Sequence, residues 1–312
     1  MNVLITGAFG FVGSNLSGAI KNSNIIALDI SEPENHLYNS FVKWNELESL
    51  KTTQLDSIVH LAGKAHDTKN TTQEKDYFDI NFGLTKQIFD FFLSSSAKKF
   101  IFFSSVKAVA DKVTGEQLTE DDLPDPQTAY GKSKLAAEKY ILSQLLPEGK
   151  KIFILRPCMI HGPGNKGNLN LLFKIVQTGI PWPLGNFDNK RSFTSIDNLS
   201  FVVTQILEKE IEQGIYNIAD DEVISTIELI KLISESKNKK PRIWEINKRL
   251  IINFAKLGNI IPFPLNSERL EKLTESYVVS NKKLKMSLGI ENMPVRAEDG
   301  MKKTLVSFSG KL

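Results

Sequence analysis

Val3-Leu4-Ile5-Thr6-Gly7-Ala8-Phe9-Gly10-Phe11-Val12-Gly13 decides the fold. Its first residues read as a short buried strand, and a run of regularly spaced glycines follows at once. Gly7 permits a tight turn, Gly10 lets a pyrophosphate approach the main chain, and Gly13 lets the next helix pack closely on the strand. That helix aims its first N–H groups at the phosphates. Such a glycine pattern alone is weak. Placed between a strand and an apolar helix, it is what a dinucleotide turn requires. Phe9, Phe11 and Val12 belong to the same cofactor surface. Asp29, with Ile30 beside it, ends the second apolar run about 20 residues on, where a carboxylate accepts hydrogen bonds from the adenosine ribose. It would repel a 2′-phosphate, and no Arg lies near it in sequence, so NAD is expected rather than NADP. The alternative is a helix cap after a strand.

Outward from the turn, short apolar runs alternate with helical patterns, the mark of strand–helix–strand units. Candidate strands are 3–5, 25–28, 57–60, 100–103 and 152–155, with a weaker one at 41–42. Several are apolar throughout, as strands covered by helices on both faces are. The expected class is α/β: a Rossmann-type doubly wound parallel sheet with a smaller mixed α/β C-terminal substrate domain. The pattern near 76–94 carries two apolar stripes, Phe78, Phe82, Thr85, Phe89 and Phe92 on one face and Ile80, Leu84, Ile88 and Phe91 on another. A helix apolar on both sides is buried on both sides. One side covers the sheet. The other is read as meeting a second copy in a homodimer built on helices near 76–94 and 128–146, with a neighbouring helix of the same chain as the alternative.

The second half is less regular. Gly162-Pro163-Gly164-Asn165-Lys166-Gly167-Asn168 reads as a loop, followed by a helix at 169–177, a second loop at 180–186, and helical patterns at 197–209, 226–236 and 266–276. The expected division is a dinucleotide-binding domain at 1–162, rejoined by about 190–215, and a second, substrate domain at 163–312.

The balance of 39 basic against 36 acidic residues, net +3, argues against a dedicated nucleic-acid binder. The basic run at 237–242 reads as a solvated loop. One cysteine, Cys158, forms no internal disulfide, fits a reducing compartment and reads as a small core thiol. No apolar run is long enough to span a membrane, and no signal peptide precedes the first strand, so a cytoplasmic protein without a membrane partner is expected. His36, His60, His66 and His161 lack metal-ligand spacing, and no metal is expected. His60 reads as strand-end packing, and His161 as lining the site without catalysing.

Tyr130-Gly131-Lys132-Ser133-Lys134 supplies the chemistry. Tyr and Lys four apart on a helix share a face. A phenol titrates near ~10, and an ammonium one turn away favours the phenolate. The expected result is a base able to take a proton from an alcohol near neutral pH.

His60-Leu61-Ala62-Gly63, Asn81, Ser104-Ser105 and Leu155-Arg156-Pro157 leading to Gly162-Pro163-Gly164 complete an ordered set over nearly the whole chain. With them the chain resembles the extended short-chain dehydrogenase/reductase family, in its nucleotide-sugar (UDP-hexose) 4-epimerase and 4-ketoreductase branch. The resemblance implies an NAD-dependent enzyme acting on a UDP-sugar. Ser105 would hydrogen-bond the substrate oxygen, Tyr130 would exchange the proton, and Lys134 would bind the nicotinamide ribose and lower the Tyr130 pKa. Positively charged nicotinamide would add to that stabilisation. Leu61, Ala62, Gly63 and Lys64 would line the cofactor with Asn81, Ser104, Pro157 and Ile160. On the substrate side, the segment containing Asn168 and Leu169 resembles the one that holds the diphosphate. That containing Pro183 and Leu184 resembles the strip along the uracil. Arg191 falls where the family places an arginine on the diphosphate, a role suited to its forked donors. Lys107 and Met159 complete the implied sugar pocket.

Some positions depart from the family pattern. Lys107-Ala108-Val109-Ala110 replaces a segment that usually reads like Val-Tyr-Gly, His161 replaces the Tyr before Gly-Pro, and Met159 stands where the galactose-type 4-epimerase has an Asn. These touch the sugar pocket and not the redox core. Ser104-Ser105-Val106-Lys107, Met159 and Gly164-Asn165-Lys166-Gly167-Asn168 look most like a surface-polysaccharide subgroup. Its members are labelled UDP-glucose 4-epimerases or reduce UDP-4-keto-6-deoxy-N-acetylhexosamines at C4. A 4,6-dehydratase is disfavoured because the Asp–Glu pair that branch needs after its catalytic hydroxyl residue is missing. Glu120, Asp121 and Asp122 read as a solvated loop before Pro124. A catalytically silent dinucleotide sensor is the alternative from another class, and the retained Ser105, Tyr130 and Lys134 argue against it.

Overall fold

The computed structural model describes residues 1–64, 73–165, 167–259, 266–308 and 310; His66 and Lys166 lie outside them. The strands are β1 (Asn2–Thr6), β2 (Asn24–Asp29), β3 (Ser40–Lys43), β4 (Ser57–His60), β5 (Lys99–Phe103), β6 (Lys151–Pro157), β7 (Met159–His161), β8 (Phe193–Ser195) and β9 (Gly214–Ile218). The α-helices are α1 (Phe11–Leu16), α2 (Glu74–Tyr77), α3 (Leu84–Ser94), α4 (Ala129–Ser143), α5 (Asn168–Gln177), α6 (Ile196–Glu208), α7 (Thr226–Glu235), α8 (Lys248–Leu257), α9 (Ser267–Thr274), α10 (Lys282–Leu288) and α11 (Ala297–Ser307).

Seven strands form one parallel sheet in the order β3-β2-β1-β4-β5-β6-β9, and β7 and β8 pair separately. The chain runs outward through β1, β2 and β3, then crosses back to lay β4 on the other side of β1. That reversal opens a crevice at the carboxyl ends of β1 and β4, where doubly wound sheets bind ligands. The expected α/β class is therefore the observed one. Strand side chains alternate between two apolar layers. Val3, Ile5, Val59 and Phe153 pack with Leu199, Val202 and Val203 of α6. Leu4, Ile58, Phe100 and Phe102 pack with Ile88, Phe89 and Phe92 of α3 and with Ala137 and Ile141 of α4. A phenylalanine buried there withdraws roughly 150–250 Å² from water, a gross gain of about 4–6 kcal/mol at ~25 cal/mol per Å².

The two-striped pattern differs from its simple reading in two ways. Residues Phe78–Gly83 form a π-helical turn between α2 and α3, so a 3.6-residue period does not carry across it. Part of this surface also meets a helix of the same chain: Phe82 and Phe89 lie against the Tyr140 ring of α4 at centroid distances of 6.0 and 6.3 Å. Apolar periodicity reports that a face is covered, not by which chain.

Candidate active site

Tyr130 lies in the first turn of α4. Thr128 caps that helix by accepting from the Gly131 N–H at 3.2 Å. The helix start presses on the turn after β5 so closely that a Cβ on Gly131 would fall 2.3 Å from the Lys107 carbonyl oxygen. Ser105 opens that turn, its Oγ accepting from the Lys107 N–H at 3.2 Å. The contact between turn and helix sets Ser105 beside the Tyr130 phenol, where it favours the ionised form. Lys134, one helical turn on, donates from Nζ to the Phe103 carbonyl at 2.9 Å. Ser105 and the Tyr130–Lys134 pair, carried by separate elements, thus converge at the carboxyl end of β5.

Their electrostatics correct one expectation. Burial raises the Tyr130 phenol above its ordinary value, the neighbouring Ser105 hydroxyl opposes that rise, and nearby Tyr77 adds to it. The expected lowering by Lys134 is not seen. The ammonium is itself buried, which brings it down to about 8, while Glu138 on the next turn pulls it back up. Desolvation penalises the charged form of each group, so the pair does not ionise by proximity alone.

Below Lys134 lies a buried ion pair that the sequence motifs did not identify. Arg156 donates to Glu138 through Nε at 3.0 Å and Nη2 at 2.6 Å. Ser104 Oγ donates to the same carboxylate. The available signal was Glu138 four residues after Lys134, a spacing that stacks the two on one helix face.

The cofactor-facing residues gather at the switch point. Gly7 sits at φ +64°, and a Cβ there would fall 2.7 Å from the Ala62 main chain, so the turn and the end of β4 approach as only glycine allows. A Cβ on Gly13 would fall 2.2 Å from the Ala8 carbonyl oxygen, so its close packing is against the turn itself rather than the strand. The Tyr38 hydroxyl ties that turn through the Ala8 and Gly13 carbonyls at 2.9 and 2.8 Å. Asp29 accepts from the Phe9 and Ile30 N–H groups at 3.0 and 2.8 Å, which fixes the carboxylate at the end of β2. Leu61 and Ala62 continue β4, their N–H groups bonded to Thr6. Asn81, in the π turn, accepts from the Lys64 N–H at 2.7 Å and donates to Ser133 at 3.0 Å. A Cβ on Gly63 would lie 2.9 Å from Asn81 Oδ1 and 3.1 Å from Lys134 Nζ, so Gly63, Asn81 and Lys134 share one cradle. The bare glycine turn, the Asp29 carboxylate and this cradle fit a dinucleotide. The Lys64 ammonium turns instead to Asp76 at 3.3 Å.

Across the crevice, Asn15 of α1 donates to the Pro163 carbonyl at 3.3 Å, and Phe11 lies against Gly162. Pro157 ends β6, and Ile160 accepts from Asn165 at 3.3 Å. Met159 and Asn168 are exposed, and Pro183 is half-buried. Leu169 and Leu184 leave only their main chain for the implied contacts. Their side chains are buried in apolar clusters, with Phe173 and Phe193 for the first and Ile251 and Leu270 for the second. Lys107 Nζ donates to the Asp111 carbonyl at 2.8 Å and lies 4.2 Å from the Tyr277 ring centroid. Burial lowers its pKa, and Arg191 is one of the charges acting on it. Arg191 donates through Nη2 to the Lys272 carbonyl, and its buried Nε has no protein partner.

Other expectations are revised here. His161 is fully buried, bonded through Nδ1 to Thr304 at 2.8 Å, and is a packing residue rather than a lining one. His60 is buried between Thr6 and Thr85, consistent with strand-end packing. Glu120 is not a solvated loop residue: it is partly buried and accepts from the Asn217 N–H at 2.7 Å, while Asp121 and Asp122 are exposed. Cys158 is buried, and burial pushes its thiol well up, away from thiolate chemistry. Among the described residues no group of His, Cys, Asp and Glu could hold a metal ion.

A glycine turn at a sheet's switch point, with a hydroxyl, a phenol and an ammonium at the adjacent strand end, defines a dinucleotide-dependent α/β enzyme. The chain belongs to the NAD dependent epimerase/dehydratase family, whose pattern matches residues 3–219. It is 28% identical over 321 residues to the UDP-glucose 4-epimerase of Vibrio cholerae, covering 98% of this chain and 95% of that protein. It is 28% identical over 248 residues to the N-acetyl-alpha-D-glucosaminyl-diphospho-ditrans,octacis-undecaprenol 4-epimerase of Escherichia coli O157:H7, covering 77% of this chain and 73% of that protein. Its fold is shared with UDP-glucuronic acid 4-epimerase from Bacillus cereus in complex with NAD, at a TM-score of 0.76 and 21% identity over 99% of this chain and 97% of that one.

Proposed function

We propose that this NAD-dependent enzyme interconverts epimers of a UDP-hexose at C4, serving surface polysaccharide precursors. The observation that carries this reading is the convergence of Ser105 and Tyr130 at the end of β5, with the Lys134 ammonium beside Gly63 and Asn81. Ser105 holds the C4 oxygen, and Tyr130 takes the proton from the 4-hydroxyl and returns it after the 4-keto sugar has turned over. Gly7, Gly10 and Gly13 receive the pyrophosphate, Asp29 the adenosine ribose, and Lys134 the nicotinamide ribose. Bound NAD supplies the hydride exchange at C4. Burial keeps the Tyr130 phenol protonated in the protein alone, so a nearby positive charge is what turns it into a base. Arg191 offers its unpartnered Nε to the substrate diphosphate. The cofactor domain is assigned to 1–162, rejoined by about 190–215, and the substrate domain to 163–312. A cytoplasmic location goes with this role.

A second reading, reduction of a UDP-4-keto-6-deoxy-N-acetylhexosamine at C4, is favoured by Lys107, whose largely desolvated ammonium lies two residues beyond Ser105. One experiment separates the two. Purified protein is incubated with UDP-glucose and with UDP-N-acetylglucosamine, without added dinucleotide, and the products are resolved by C4 configuration. Epimers are expected. Their absence, together with NAD(P)H consumption on the 4-keto-6-deoxy substrate, would replace the epimerase reading with the reductase.

A homodimer through α3 and α4 is also proposed. It is supported by the half-buried Phe78, Ile80, Phe82 and Leu84 and by Leu142, which stays exposed at the end of α4. Sedimentation equilibrium should give twice the 35.0 kDa chain mass; a single-chain mass at micromolar protein would refute the dimer.

A further inference from the structure

The net charge conceals a strong asymmetry. Residues 237–257 contain seven Lys or Arg and one acid, Glu245, a net of +6. The remaining residues carry 32 basic and 35 acidic side chains (39 less 7, and 36 less 1), a net of −3. Across the rest of the described chain, many Lys and Arg side chains are paired with carboxylates. None of the seven is: Lys237, Lys239, Lys240 and Arg242 on the loop, and Lys248, Arg249 and Lys256 on α8, form no described ion pair. The nearest acids of α9 are already engaged, Glu268 with Lys272 and Glu271 with Lys112.

The same segment carries an apolar stripe that is exposed among the described residues. α8 turns Ile251 and Ala255 inward onto Leu184 and Leu270. Leu250, Phe254 and Leu257, spaced by four and three, leave 54%, 57% and 51% of their surface exposed, and Trp244 just before the helix leaves 56%. The basic loop rims a groove of about 470 Å³ floored by Ile175, Ile180 and Trp182, and none of Ser105, Tyr130 or Lys134 lines it. Large side chains exposed in a row at helical spacing mark a binding surface more than scattered ones do.

We propose that α8 and the loop at 237–242 form a docking surface for an anionic phospholipid bilayer. Such a surface meets both demands at once: the apolar stripe sinks to the headgroup–acyl boundary while the unpaired cations stay among anionic headgroups. A nucleic acid would use the charge and could stack on Phe254 or Trp244, but would leave Leu250 and Leu257 in water. A second copy of this strongly basic segment would set like charges against each other. The expectation of no membrane partner rested on the lack of a spanning run. No described helix is long and apolar enough to cross a membrane, but that argument excludes crossing, not lying at the interface.

The test is co-sedimentation of the full chain with vesicles of phosphatidylglycerol and phosphatidylcholine, and with phosphatidylcholine alone. Binding is expected to the anionic vesicles only. It should fall at least tenfold as the Debye length shrinks from about 8 Å at 0.15 M salt to about 3 Å at 1 M. F254E/L257E and K248E/R249E should each abolish binding while turnover stays at the parent rate, which shows that the variants are folded. No binding to anionic vesicles, equal binding to neutral ones, or substitutions without effect would overturn the proposal. So would sedimentation velocity showing that F254E/L257E dissolves a dimer, because a second copy would then be the occupant.

Discussion

Tyr130→Phe is expected to lower kcat by about 10²- to 10⁴-fold, the span associated with one positioned proton-transfer group, while NAD remains bound. The substitution removes one oxygen and almost nothing else. Phe keeps the ring against Tyr77, and Gly131 keeps the helix pressed on the Lys107 turn. Lys134 is held by the Phe103 carbonyl rather than by the phenol, so the cradle with Asn81 and Gly63 survives. Ser105 stays anchored by the Lys107 N–H. Single-turnover kinetics and dinucleotide titration together check the split. A variant turning over at the parent rate would remove the phenol from the mechanism. A variant that no longer binds NAD would move Tyr130 from proton transfer to cofactor binding.

The second large effect is on stability. Glu138→Ala should cost roughly 3–5 kcal/mol, the usual consequence of removing one partner of a buried ion pair. Against a typical net stability of about 5–15 kcal/mol, that is a large fraction. Arg156 would be left buried and uncompensated, and its Nη1 already lacks a partner. Ser104, next to the reacting Ser105, would lose the acceptor that fixes it. The urea midpoint of unfolding reads the loss, and an unchanged midpoint would refute it. The double variant E138M/R156M should recover most of the stability, because it leaves no buried charge unpaired. The same residue reaches the chemistry through charge. Glu138 holds Lys134 up against burial, so without it the ammonium titrates below about 8. Activity that needs the protonated form should then fall first at the alkaline end of the pH profile.

Fold and cofactor turn were legible because both depend on short-range rules. Apolar runs such as Leu4–Ile5 and Phe100–Phe103 have few ways to be buried, and glycines spaced as Gly7, Gly10 and Gly13 are recognisable wherever a main chain must approach closely. The three-residue strands β7 and β8 lie below the length at which an alternating pattern can be recognised, and β9 pairs with a strand some sixty residues earlier in the chain. Leu169, Leu184 and His161 were read toward the site by position, yet their side chains are buried in packing that sequence spacing does not report.

The amino-acid order by itself determined that this is a parallel α/β protein with a dinucleotide turn, an acid at the second strand end, and a Ser, a Tyr and a Lys available for proton exchange. Each of those is a local property: a period, a glycine spacing, a helical turn between two side chains. Tertiary structure alone decided that Tyr130 is an acid held protonated by burial, that Lys134 is supported by Glu138 from below, and that the chain's positive charge lies beside an exposed apolar stripe. Desolvation and pairing depend on what packs around a group from distant parts of the chain, and that surrounding exists only once the sheet has closed.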